Sequence, residues 1–286
     1  MSDVVFSFPG KIGDAILQFP VAYQWHKQTG KTFSCWLDET SLKPLERLFS
    51  IQPCVGGVEF KAGIEHYMCG GQPWHFNLQT ADYAGKTVYH LGFRGFPQRQ
   101  ITLETAENAK LPVKIDMKAL ATEPCFVLPA ESPPPLRLVL HGQPICPHTR
   151  CTPGFWKFLS SIAPEVEHLF DEVLFVGKER DCEVGVRTYP EWGRFDDGGD
   201  LANVAQLIAN STCVIGCGSS MAALASVLKV PTIRVHDPIG NASKTVWSGL
   251  GDNQLNDTEV ELRRSWPEFR ERWLKPVVAP AEESLA

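Results

Sequence analysis

The chain has 286 residues, enough for one large domain or two of ordinary size. Hydrophobic residues make up 43% and charged residues 21%, which excludes a disordered, collagen-like or repeat-array protein. A net charge of −6 with a pI near 5.8 excludes a surface made wholly for nucleic acid, though not a local basic groove.

The first residues, MSDVVFSF, lack the basic start and long apolar run of a signal peptide. No stretch approaches the roughly 18 uninterrupted apolar residues of a membrane span. A cytoplasmic location is therefore expected. The nine cysteines are an odd number without framework spacing and read as reduced thiols. Cys146 to Cys151, CPHTRC, is the one cluster that hints at a metal; no second ligand pair matches it, so no metal is expected.

Taken in chain order, Val4 to Phe8 is a short apolar, β-branched and aromatic run that stops at Pro9-Gly10, the pattern of a buried strand. Asp14 to Gln28 follows as a helix that Pro20 is expected to kink. Lys31 to Leu37 reads as a second strand and SLKPLERLF as a helical segment. Residues 60 to 120 give short strands, such as Lys86 to His90, between glycine-rich turns. PAESPPPL, Pro129 to Leu136, is a stiff extended connector, because three consecutive prolines fit neither a helix nor a central strand. Beyond it the rhythm restarts: LRLVL to a turn at His141-Gly142, a helix in GFWKFLSSIA, a strand in EVLFV, a helix in NVAQLIANS, a strand in CVIGC, a helix in MAALASVLK and a strand in PTIRVH. EVELRRSWPEFRERWLKPVV ends the chain as a helix whose Trp266, Phe269 and Trp273 need apolar cover. The fold class is thus α/β, two similar doubly wound parallel-sheet halves, with ligands at the carboxyl ends of the strands.

Four strand-ending turns could build a site there. In FPGKIGD, Gly10 and Gly13 allow close backbone approach around Lys11, and Asp14 either caps the next helix or faces a ligand. In GCGSSMAALA, Gly218, Ser219 and Ser220 open a small-residue helix whose free N–H groups suit a diphosphate; a plain serine cap is the alternative. Neither is a Walker A loop or a full dinucleotide fingerprint. In HTRCTP, Arg150 could reach a phosphate or lie solvated on the surface. In VGKERD, Glu179 could accept two ribose hydroxyls or be exposed.

The order of these turns resembles the heptosyltransferase-like glycosyltransferases, family 9 of the two-Rossmann GT-B class. GKIGDAILQFP is similar to that family's N-terminal Gly-Asp motif, HTRCTP to its Lys-x-Trp-Pro segment, and VGKE to its Gly-x-Glu turn. The stretch from Leu201 to Asn241 is similar to its helix, strand, Asp-Ser/Thr-Gly turn, helix, proline and strand. The resemblance implies two Rossmann-like domains facing across a cleft: an acceptor-side domain over 1–130, a nucleotide-sugar domain over 131–265, and a helix and tail over 266–286 that cross back onto the first half. It implies metal-independent, inverting transfer of a sugar from a nucleotide-diphosphate donor to a hydroxyl of a glycan or lipid-linked glycan, with no further cofactor. Asp14 would be the base. Gly218, Ser219, Ser220 and Arg150 would hold the diphosphate and Glu179 the ribose, while Gly10, Lys11, Gly13 and His141 would line the acceptor side of the cleft. The chain departs from the family where its Asp is Gly218, its Gly is Ser220, its His is Ala223, its Lys is Arg150 and its Trp is Thr152, so donor identity does not carry over.

Two alternatives follow. One is a bacteriophage-type glycosyltransferase acting on a modified DNA base, for which Lys61, Arg94, Arg99 and Lys110 offer scattered basic charge. The other, from a different class, is a non-catalytic nucleotide-sugar-binding or scaffold protein, motivated by Gly218 and Ala223.

Overall fold

The apolar run Val4–Phe8 forms β1, flanked on both sides by parallel strands and buried on both faces, as a strand inside a parallel sheet must be. The computed structural model describes residues 3–62, 64, 84–92, 99–132, 134–141, 153–177, 194–196, 199–236, 249–251, 253–258 and 261–274. After β1 come α1 (Ile12–Thr29), β2 (Phe33–Asp38), a 3₁₀ turn (Lys43–Leu45) leading into α2 (Glu46–Ser50), β3 (Val55–Lys61), β4 (Thr87–His90), α3 (Ile101–Asn108) and α4 (Met117–Thr122). The first sheet has the order β3-β2-β1-β4, with every pair parallel. Helix α1 begins two residues before Asp14 and is continuous through Pro20; it stops at Gly30, whose φ of +68° is the left-handed conformation that closes helices. Aromatic rings fill the space between α1 and the sheet: Phe19 stacks on Phe126 with centroids 4.4 Å apart and lies 4.7 Å from Phe49.

The second half contains β5 (Arg137–His141), α5 (Pro153–Leu169), β6 (Glu172–Val176), β7 (Arg194–Asp196), α6 (Leu201–Ala209), β8 (Cys213–Cys217), α7 (Ser220–Val227), β9 (Thr232–His236), β10 (Gln254–Thr258), α8 (Leu262–Phe269) and a π-helical turn at Arg270–Leu274. Its sheet runs β7-β6-β5-β8-β9-β10, again wholly parallel. This is the doubly wound order, in which the chain turns one way from β5 and the other way from β8. A ligand crevice opens at such a switch point.

The halves share one apolar core. A single buried cluster runs from Phe6, Phe8 and Phe19 to Ala205, Ile208 and Leu224, where α1 packs along α7. The proline-rich connector is docked and does not swing freely. Val127 N–H donates to Gln52 Oε1 at 2.8 Å, Glu131 N–H to Asn210 Oδ1 at 2.8 Å, and Asn210 Nδ2 to Pro129 O at 3.0 Å. Lys229, with φ +63°, donates Nζ to Leu120 O and Leu250 O at 2.8 and 3.0 Å, and so ties α4 to the second half.

The C-terminal helix corrects an expectation. Over the described residues it does not cross back to the first half: Leu262, Trp266, Phe269 and Leu274 are buried with Leu138, Phe155 and Phe175 of the second half. Trp266 Nε1 donates to Glu165 Oε2 on α5 at 3.0 Å, and Arg270 pairs with the same carboxylate. The apolar face of α5 and its sheet needed cover, and this helix supplies it. Residues 275–286 lie outside the described residues.

Candidate active site

Asp14 sits in the first turn of α1, 7% exposed, directly behind β1. Its Oδ2 accepts a hydrogen bond from the Lys11 N–H at 2.9 Å, so the carboxylate closes the end of its own helix from the third position. Gly10 makes room for it. Gly10 has φ +105°, and a Cβ there would stand 2.8 Å from both Asp14 Cβ and Oδ2. Gly10→Ala is therefore expected to lower stability by about 1–3 kcal/mol through backbone strain and to displace Asp14; urea denaturation checks the first effect. Gln18 Nε2 donates to Pro9 O at 2.9 Å and fixes the same turn.

The second glycine turn stands opposite. Ser219 is the N-cap of α7, and its hydroxyl oxygen accepts from Met221 N–H at 3.2 Å. The plain cap is thus present, while the Ser219 O–H remains a donor. Ser219 and Ser220 are half-buried. The two turns meet: a Cβ built on Gly13 would lie 3.6 Å from Ser220 Cα and 3.7 Å from its amide nitrogen. The N-terminal ends of α1 and α7 therefore abut. Since Asp14 already neutralises the positive end of α1, the end of α7 is the one open to an anion.

His141 closes β5 at the switch point, 7% exposed, with Nδ1 2.7 Å from Val176 O. A Cβ on Gly216 would come within 2.7 Å of His141 O, so the close pairing of β5 and β8 at this end requires glycine there. Gly10, Lys11, Gly13, Asp14, His141, Gly218, Ser219 and Ser220 all lie at the carboxyl ends of strands, in the turns that follow them or in the first turn of the next helix. Arg150 and Glu179 lie outside the described residues, as does the Cys146–Cys151 segment. Among the described residues no three His, Cys, Asp or Glu side chains converge as metal ligands. Cys35, Cys54, Cys125, Cys213 and Cys217 are buried free thiols, and burial pushes Cys54 up to about 12.

Two residues near these turns were missed by sequence reasoning. Arg234 in the middle of β9 lies beneath Gly218; its signal was a lone arginine between Ile233 and Val235 in the strand TIRVH. His90 ends β4, with Nδ1 2.7 Å from Ser7 Oγ, and burial lowers its pKa. A buried histidine of lowered pKa takes up protons mainly in the unfolded chain, so stability is lost as pH falls below about 6.5. The unfolding midpoint is expected to fall between pH 7.5 and 5.5, and to fall less in His90→Gln. A groove of ≈490 Å³ lined by Arg47, Ile51, Pro129, Ala202 and Gln206 among others contains none of these residues.

The fold has solved counterparts. The E. coli ADP-heptose lipopolysaccharide heptosyltransferase II superposes with a TM-score of 0.61 at 12% identity, covering 93% of this chain and 98% of the other. The E. coli heptosyltransferase WaaC, determined with ADP, gives 0.60 at 13% identity, covering 93% and 99%. The fold is GT-B. A family 9 glycosyltransferase from Veillonella parvula agrees, with a TM-score of 0.58 at 11% identity over 94% of this chain and 89% of that one. No family model matches the sequence, and no curated protein matches it. In this GT-B chain no helix among the described residues is long and apolar enough to cross a membrane.

Proposed function

We propose that the protein is a metal-independent, inverting glycosyltransferase that moves a sugar from a nucleotide-diphosphate donor to an acceptor hydroxyl, of a glycan or lipid-linked glycan. The observation that carries this reading is the abutment of two helix N-termini at Gly13 and Ser220, one bearing a buried carboxylate and the other the Ser219 and Ser220 hydroxyls. Asp14 takes the proton from the acceptor hydroxyl. The freed oxygen attacks the anomeric carbon from the face opposite the diphosphate, the carbon–oxygen bond to the diphosphate breaks, and the nucleoside diphosphate leaves. Its growing charge is met by the Ser219 and Ser220 donors and the α7 dipole, fixed groups that need no reorganisation and are worth several kcal/mol of barrier. Arg150 and Glu179 keep their proposed roles toward the phosphates and the ribose. The solved GT-B glycosyltransferases support the sugar-transfer class, since the superposition covers nearly the whole of both chains.

A thermal-shift panel of UDP-, GDP-, ADP-, CMP- and dTDP-sugars tests this reading. A true donor at 100 times its Kd adds about 2.7 kcal/mol and raises the midpoint; no shift with any member sinks the reading. The non-catalytic alternative is favoured by one observation, the use of Asp14 Oδ2 as a cap for its own helix. The DNA-directed alternative has less behind it. Lys61 is engaged by Glu59 at 3.4 Å and by the Trp36 ring, Arg99 is paired with Glu107, and Arg94 lies outside the described residues.

A further inference from the structure

Two arginines are buried in the six-stranded sheet, and their surroundings are opposite. Arg137, the first residue of β5, is 6% exposed; its Nε donates to Glu172 Oε2 at 2.6 Å and its Nη2 to Glu131 Oε2 at 3.2 Å. Burial alone would pull its pKa down, but its hydrogen bonds to Glu172 and Glu131 more than offset it. It is a paired, structural arginine at the amino end of its strand.

Arg234 lies mid-strand in β9, between β8 and β10, and is 5% exposed. Among the described residues its Nε and Nη1 are sealed from solvent and have no hydrogen-bond partner. Burial draws its pKa down to about 10, with Cys217 opposing the shift, so it stays charged at neutral pH. A buried cation with two unsatisfied nitrogens is among the most destabilising features a core can hold. The guanidinium is also aimed. A Cβ on Gly218 would stand 2.9 Å from Nη2 and 3.4 Å from Nε, although the Gly218 backbone is not in the left-handed region. Glycine is needed at 218 for space, not for backbone conformation. The cation thus lies under the turn that opens α7, at the helix end left open to an anion.

We propose that Arg234 is an anion-binding residue of the donor site: across the space left by the missing Gly218 side chain, its guanidinium donates to a diphosphate oxygen held at the Ser219 and Ser220 donors. The identity of the anion as the donor's diphosphate rests on the glycosyltransferase reading. The presence of a diphosphate-type anion site does not.

The test is calorimetric titration of the full chain with inorganic pyrophosphate, alongside the unfolding midpoint without ligand. The wild type binds, and Arg234→Gln binds about tenfold to a hundredfold more weakly, the effect of losing one hydrogen bond to a charged group. Its ligand-free midpoint does not fall, because an unpaired buried charge has been removed. A purely structural arginine would give the reverse, a lower midpoint and unchanged pyrophosphate affinity. Gly218→Asp is the second variant. Its carboxylate fills the space beside Arg234 and pairs with it, so pyrophosphate binding is lost. Wild-type protein that binds no pyrophosphate, or either variant binding within twofold of wild type, overturns the proposal. Arg234-dependent pyrophosphate binding without binding of any nucleotide-sugar would uphold it and sink the glycosyltransferase reading; nucleotide-sugar binding indifferent to Arg234→Gln would do the opposite.

Discussion

Replacing Asp14 with alanine is expected to lower sugar transfer by a factor of about 10²–10⁴, the usual worth of a positioned general base, while leaving donor affinity within a few-fold of wild type. The split arises from the division of labour between the two helix ends. The donor's charge is met at Ser219 and Ser220 on α7, whereas Asp14 stands on α1 across the Gly13–Ser220 contact. The same substitution removes the hydrogen bond to Lys11 N–H, so a modest loss of stability accompanies it, on the order of 1 kcal/mol. The two effects are separable. Asp14→Asn keeps the shape and an oxygen that can still accept from Lys11 N–H, and it should restore most of the stability but none of the turnover. Turnover in Asp14→Asn within a few-fold of wild type would favour the non-catalytic use of this carboxylate as a cap. Steady-state kinetics and calorimetric titration with the donor found in the panel measure both quantities.

The largest effect on the fold is expected at Phe19. Its ring is fully buried on α1, stacked on Phe126 just before the connector and close to Phe8, Phe33 and Phe49. Truncation to alanine removes about 3–5 kcal/mol, the transfer free energy of the ring plus the cavity it leaves. Because Phe126 belongs to the segment that passes from one half to the other, the cavity opens where the halves share their core. Phe19→Ala should therefore shift the urea midpoint of both halves together, followed by fluorescence and far-ultraviolet circular dichroism. A variant in which only one signal shifts would show that the halves unfold independently.

Strands β1, β2, β5, β6, β8 and β9 were legible because each is a short apolar run closed by glycine, proline or a polar turn, the signature of strands buried on both faces. Strand β3, VGGVEFK, was not, since its two glycines read as turn residues. Nor was β10, QLNDT, whose polar sequence suits an edge strand paired only with β9. Helix α3 has a weak apolar stripe; what holds it is tertiary, with Thr102 Oγ1 donating to Leu17 O at 2.7 Å. Sequence could show that Trp266 and Phe269 need cover but not from which half, because Glu165, the partner of Trp266, lies 101 residues away.

The site followed the same division. The glycine turns announced themselves through local spacing. Asp14 was legible as a candidate cap, but its place inside the first turn, not before it, and so its acceptance from Lys11 N–H, depended on where α1 begins. Arg234 is separated from Gly218 by fifteen residues and a helix, so only the sheet brings them together.

The α7 turn is proposed to hold the donor's diphosphate beside Asp14. A crystal structure of the protein with the nucleoside diphosphate that binds most tightly decides whether it does. Phosphate oxygens are expected within hydrogen-bond distance of the Ser219 or Ser220 donors and of the Arg234 guanidinium, with the Asp14 carboxylate facing the vacated sugar position. Diphosphate bound in the groove between Arg47 and Gln206, or anywhere away from the α7 turn, would contradict it.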